Sequence, residues 1–116
     1  MNFSFPKSEK LKSRKTIELL FEEGKSYTKF PIKVFFLPIE NTENTKAGFA
    51  VPKRNFKNAV DRNRIKRQLR EAYRLQKHLL NSENGLKFAI FFLYIGKEKL
   101  PYSKIETAME SLIKKL

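Results

Sequence analysis

The chain has 116 residues, enough for one domain with one core and too few for two. Apolar residues make up 41% of it, including 11 Phe and 4 Tyr, which excludes a fully disordered chain, and the lack of Cys excludes disulfides, thiolate zinc sites and thiol nucleophiles. With 25 Lys and Arg against 12 Asp and Glu, the net charge is +13; such an excess repels itself in a compact fold and calls for an anionic partner. Nucleic acid leads, because each phosphate contact releases counterions. An anionic membrane surface and plain solubility are the alternatives.

In chain order, Met1-Asn2-Phe3-Ser4-Phe5-Pro6-Lys7 lacks the apolar run of a signal peptide. Residues 1–12 have no periodicity and read as a flexible basic N-terminus. Ser13 is an N-cap candidate for a short helix whose stripe is Ile17, Leu20 and Phe21 and whose end is Gly24. Ile32 to Leu37 reads as a strand closed by Pro38, Glu40 to Thr45 as a hairpin loop, and Lys46 to Val51 as a second strand stopped by Pro52. The stretch around Phe35 and Phe36 leaves room for a bulge or a longer hairpin.

Asn58 and Asp61 resemble a capping pair, so a helix is expected from there to about Leu80. Leu86 to Ile95 suits a central strand covered on both faces, and its apolar core is far short of a membrane span. After Pro101, Ser103-Lys104-Ile105-Glu106 reads as a capping box for a last helix with the stripe Ile105, Met109, Leu112, Ile113 and Leu116. The whole is one α+β domain over 1–116, in the order α-β-β-(β)-α-β-α, and is expected to be cytoplasmic with no membrane partner.

The densest signal lies in the third quarter of the chain. At about 100° per residue, Ile65, Leu69, Ala72, Tyr73, Leu79 and Leu80 gather on one side of the helix. Arg62, Asn63, Lys66, Arg70, Arg74 and Lys77 fall on the adjoining side, with Arg67 at its margin. Like charges at i and i+4 destabilise an isolated helix by a few tenths of a kcal/mol per pair, and only Asp61 and Glu71 lie nearby to relieve them. A merely solvated face would interleave both signs, so phosphate is the favoured occupant; Arg contacts it bidentately. A membrane or a calmodulin-like groove would require an exposed apolar face, which this small domain needs for its core.

Ala59-Val60-Asp61-Arg62-Asn63-Arg64-Ile65-Lys66-Arg67, followed by Arg70-Glu71-Ala72, resembles the signature of the bacterial ribonuclease P protein component. The likeness extends to Leu11–Gly24, to the Gly48 strand ending in Lys53-Arg54, and to the apolar strand at 86–95. It implies a ribosomal-protein-S5-domain-2-like mixed sheet whose βαβ crossover is left-handed, against the usual rule. It implies that Arg62, Asn63, Arg64, Lys66, Arg67, Arg70 and Arg74 meet the catalytic RNA. It further implies that the 5′ leader of precursor tRNA lies in a cleft with Lys12, Arg14, Ile17, Phe21, Phe35, Lys53 and Arg54.

Ile17 stands where many relatives carry an aromatic and has no π-face to stack; Pro52 removes a backbone donor near the same groove. Catalytic Mg2+ would be held by RNA and substrate, and the protein would be a monomer in a one-to-one complex. No residue pattern for protein-based catalysis is visible, since His78 is alone and no nucleotide-binding Gly loop occurs. A generic RNA-binding domain, a protein nuclease and a helix-turn-helix DNA-binding protein are the rival readings; the last is the weakest because the basic helix follows a strand rather than a short helix and turn.

Overall fold

The computed structural model describes Phe5 and residues 7–39, 44–80 and 87–116. Most of the expected hairpin loop at Glu40–Thr45, and the Asn81–Gly85 connection with Leu86, lie outside the described residues.

Helix α1 spans Arg14–Glu23; Ser13 Oγ accepts from the Thr16 N–H, as its N-cap position requires. It ends at Gly24, whose N–H bonds to the Leu20 carbonyl and whose place could not hold a Cβ without striking that same carbonyl. Strand β1, Lys25–Lys29, follows at once, then the Phe30–Pro31 turn (a cis peptide) and β2, Ile32–Ile39. The additional strand therefore precedes Phe30 instead of lying near Phe35 and Phe36. β2 also runs through Pro38. Its pairing with β1 stops at Phe36, so from there on it has β4 alone as neighbour, where a residue without an N–H is tolerated.

β3 spans Lys46–Ala50, α2 Ala59–Gln76, β4 Lys87–Tyr94 and α3 Tyr102–Lys115. The sheet order is β1-β2-β4-β3, antiparallel except for the β3–β4 pair, so β3-α2-β4 is the expected parallel crossover and β4 is central. The last helix starts earlier than its expected capping box. Pro101 takes the N-cap position with no side-chain cap, and Ser103 sits inside the first turn, its carbonyl accepting from Thr107 Oγ1.

The main core fills the space between one face of the sheet and α2 with α3. Ile32, Val34, Ile90, Phe92 and Tyr94 meet Ile65, Leu69 and Tyr73 of α2 and Ile105, Met109, Leu112 and Ile113 of α3. Buried Gln76 donates to the Glu106 carbonyl at 3.1 Å and ties the two helices. The opposite face carries α1, whose Leu20 is fully buried with Leu11 and Ala89.

Of the N-terminal stretch 1–12, Phe5 and residues 7–12 are described, and Phe5, Glu9, Lys10 and Leu11 contact the domain. Phe5 lies edge-on to Phe49 and Tyr73, Lys10 forms a parallel bridge with Ala47, and the Leu11 N–H donates to the Ala47 carbonyl at 2.9 Å. Glu9 and Lys77 form an ion pair at 2.7 Å with side chains only 17% and 11% exposed. The bridge covers the outer edge of β3 at Ala47, where a backbone carbonyl would otherwise be unpaired.

Candidate nucleic-acid interface

α2 owes its orientation to two features. Asn58 Oδ1 caps it by accepting from the Val60 N–H at 2.9 Å, and its Ile65, Leu69, Ala72, Tyr73 side is committed to the core. The side carrying the cations is thereby turned outward. Val60, Asn63, Lys66, Arg67 and Arg70 line one shallow open depression along it. Arg64, Lys66, Arg67 and Arg70 are not ion-paired to any described residue. Val60 is 68% exposed at the end of this strip, an apolar spot among cations.

The remaining expected contacts are placed differently. Arg62 turns back along the chain, and its Nη1 donates to the carbonyls of Phe56 at 2.7 Å and Lys57 at 2.9 Å, locking the approach to α2. Arg64 is exposed but stands about 200° around the helix from Arg62, on the far flank. Arg74 hydrogen-bonds Glu71, and its guanidinium holds that carboxyl below the usual carboxylate range. Lys77, grouped with the cationic side in sequence, instead pairs with Glu9.

The second surface lies on the α1 face of the sheet. Phe21, 50% exposed, sits edge-on to Phe35 with ring centroids 4.8 Å apart and to Phe91 at 5.4 Å. Phe35 and Phe91 are register partners on β2 and β4, and Lys33 Nζ lies 5.2 Å from the Phe35 ring centre. Gly48, opposite Phe91 on β3, lets that ring lie close, since a Cβ there would be 3.1 Å from Phe91 Cδ2. Phe21 and Phe35, grouped by the family resemblance, are thus in ring contact. Ile17 packs against the Leu11–Leu20 cluster on which Phe35 and Phe91 also rest.

Lys12 and Arg14 flank the Ser13 cap, and Lys53 and Arg54 occupy the turn after β3 closed by the Asn55 N–H on the Pro52 carbonyl; all four are exposed. Sequence reasoning misses Phe91 and Lys33. Strand alternation could have found Lys33, two residues from Phe35 and so on its face, while Phe91 is hidden in a run apolar on both faces.

Among the described residues no group of three or more His, Cys, Asp or Glu side chains is placed to hold a metal ion. No described helix is long and apolar enough to cross a membrane.

Residues 5–116 match the family model for ribonuclease P. The chain belongs to the ribonuclease P protein family. Ribonuclease P protein component of Porphyromonas gingivalis is 39% identical over 118 residues, covering 97% of this chain and 86% of that protein. The Finegoldia magna counterpart is 34% identical over 110 residues, covering 94% and 91%. Among solved structures, ribonuclease P protein from Thermotoga maritima superposes with a TM-score of 0.78 at 25% identity, covering 93% of this chain and 97% of that one. The Staphylococcus aureus protein gives 0.77 at 21% identity over 91% and 93%, a likeness of fold. As a ribonuclease P protein, the chain is a subunit of the endoribonuclease that processes tRNA 5′ ends and a partner of the ribonuclease P RNA.

Proposed function

We propose that the α2 strip binds the catalytic RNA, and that the Phe21–Phe35–Phe91 face holds the single-stranded 5′ leader of precursor tRNA. The observation that carries this reading is the strip itself: Lys66, Arg67 and Arg70 face outward because the other side of α2 is spent on the core, and they have no carboxylate partner among the described residues. Asn63 lines the same depression, Arg64 and Arg74 extend the cationic surface on its flanks, and Arg62 fixes the helix entry. The aromatic face supports the second half, since single strands are held by rings within a positive groove. Lys33 stands over its rim; Lys12, Arg14, Lys53 and Arg54 supply further exposed cations.

The chemical role follows from electrostatics. Two RNAs brought together repel through their phosphates, and Mg2+ in solution must screen them. Fixed cations replace part of that screening, so the holoenzyme works at lower Mg2+. Cleavage itself belongs to the RNA, with catalytic Mg2+ held by RNA and substrate oxygens. The protein acts as a monomer, one per RNA, in the cytoplasm.

The test is reconstitution with a matched catalytic RNA across a Mg2+ series. The protein lowers the Mg2+ needed for precursor cleavage and does not cleave alone; cleavage by protein without RNA overturns the reading. Lys66→Glu and Arg67→Glu weaken RNA binding and flatten its salt dependence, by about 0.9 unit of log–log slope for each duplex phosphate no longer neutralised. An unchanged slope would mean that the strip is only a solvated face.

A further inference from the structure

At the end of the sheet where β4 finishes, the β1–β2 turn, the 95–101 connection and the first turns of α3 come together. The Ile95 N–H donates to the Pro31 carbonyl at 2.8 Å and fixes the first of these to the second. Phe30 is 65% exposed there although Pro31 and Ile32 beside it are buried. A lone exposed Phe needs no explanation. This one, however, divides two adjoining depressions of about 410 and 370 Å3, and with Leu100 it walls both. Each falls in the range of about 300–1,000 Å3 that small organic groups occupy. Lys29 and Lys104 stand on the rim of the first and Lys97 on that of the second, against one carboxylate, Glu98.

A solvent-facing ring beside an apolar wall, with ammonium groups around it, matches an unpaired nucleotide: the base stacks and the phosphate meets a cation. A purely apolar ligand would leave the three lysines without a role. The patch is also continuous with α2. Lys99 Nζ reaches Asp61 Oδ1 in the first turn of α2 at 3.3 Å, and β3 and β4, being parallel, deliver both α2 and the 95–101 connection to the same end of the sheet. Lys104, Thr107 and Ala108 place it on the α2–α3 side, away from the Phe21 face.

We infer that Phe30 and its lysines bind an unpaired nucleotide of the catalytic RNA, next to the contact made by α2. This rests on the reading of α2 given above. Binding of the catalytic RNA is measured for Phe30→Ala, Phe30→Leu and Phe30→Trp, for the double variant Lys29→Gln with Lys104→Gln, and for Arg67→Glu as reference.

Phe30→Ala and Phe30→Leu bind roughly 5- to 100-fold more weakly with an unchanged salt slope, while Phe30→Trp binds like the parent. The double lysine variant, whose side chains are exposed, drops about 0.7 unit of slope for each single-strand phosphate it no longer meets. Parental affinity and slope in all the patch variants, beside a clear loss in Arg67→Glu, overturn this inference and leave the role of α2 standing. No loss in any variant, Arg67→Glu included, defeats both. A loss confined to precursor tRNA binding by the assembled holoenzyme overturns the assignment to the catalytic RNA.

Discussion

Replacing Arg62 by alanine separates two roles that the sequence lumps together. Its Nη1 holds two backbone carbonyls at 2.7 and 2.9 Å, one part-buried at Phe56 and one exposed at Lys57. Hydrogen bonds from a charged donor contribute about 1.5–3 kcal/mol when buried, and water replaces most of an exposed one. Arg62→Ala is therefore expected to cost about 1–2 kcal/mol of folding stability, a fall in Tm of roughly 3–8 °C for a domain of this size. Arg67→Ala, exposed and bonded to no described residue, should stay within about 0.5 kcal/mol of the parent.

Thermal unfolding followed by circular dichroism, at low and high salt, reads both. Binding of the catalytic RNA is measured on the same proteins below the transition. Arg67→Ala should lose affinity without losing stability, and Arg62→Ala should lose stability first. If Arg62→Ala melts with the parent and binds RNA as poorly as Arg67→Ala, then Arg62 leaves its carbonyls in solution, and its assigned structural role is wrong.

Phe21→Ala should weaken precursor tRNA binding by about 1–3 kcal/mol and mature tRNA binding far less, because the half-exposed ring adds a stacking face to Phe35 and Phe91; equal losses would return Phe21 to the core. Leu20→Ala empties the fully buried anchor of α1 and should cost about 2–5 kcal/mol in urea unfolding, with less than 1 kcal/mol showing that α1 is not held there. Burial pushes the Tyr73 hydroxyl well above its ordinary value, so the folded state binds this proton more tightly than the unfolded chain. Its stability contribution is complete below about pH 10 and is lost as pH rises beyond that. Absorbance titration should therefore show fewer than four ionised tyrosines until the protein unfolds, and four ionising reversibly in the folded state would contradict the burial.

What was legible in the sequence was whatever one local periodicity or cap decides. Ser13 and Asn58 announced α1 and α2, and the stripes of α2 and α3 match their buried faces, except that α2 ends at Gln76 and leaves Leu79 and Leu80 beyond it, half-buried against the core. β1 escaped because Lys25 to Lys29 is exposed at every residue, so no alternation marks it; partner β2 alone makes it a strand. The Ser103 capping box misled because the Pro101 carbonyl already starts the helix, accepting from the Lys104 N–H at 3.0 Å. The cationic strip could be read from helix angles, but the diversion of Arg62 and Lys77 could not. Their partners, the Phe56 carbonyl and Glu9, are chosen by the tertiary fold.

The docked N-terminus has a consequence for how the chain is made. Phe5, Glu9 and Leu11 leave the ribosome before their partners Ala47, Phe49, Tyr73 and Lys77, which are synthesised later by 36 to 68 residues. This early segment must wait for its partners, and contacts of such sequence separation form late because their loop must close first. Until they do, the nascent β3 has a bare flank. Lys10 and Lys12 put two positive charges on the segment that meets that edge, and charge beside a strand edge disfavours its pairing with another chain.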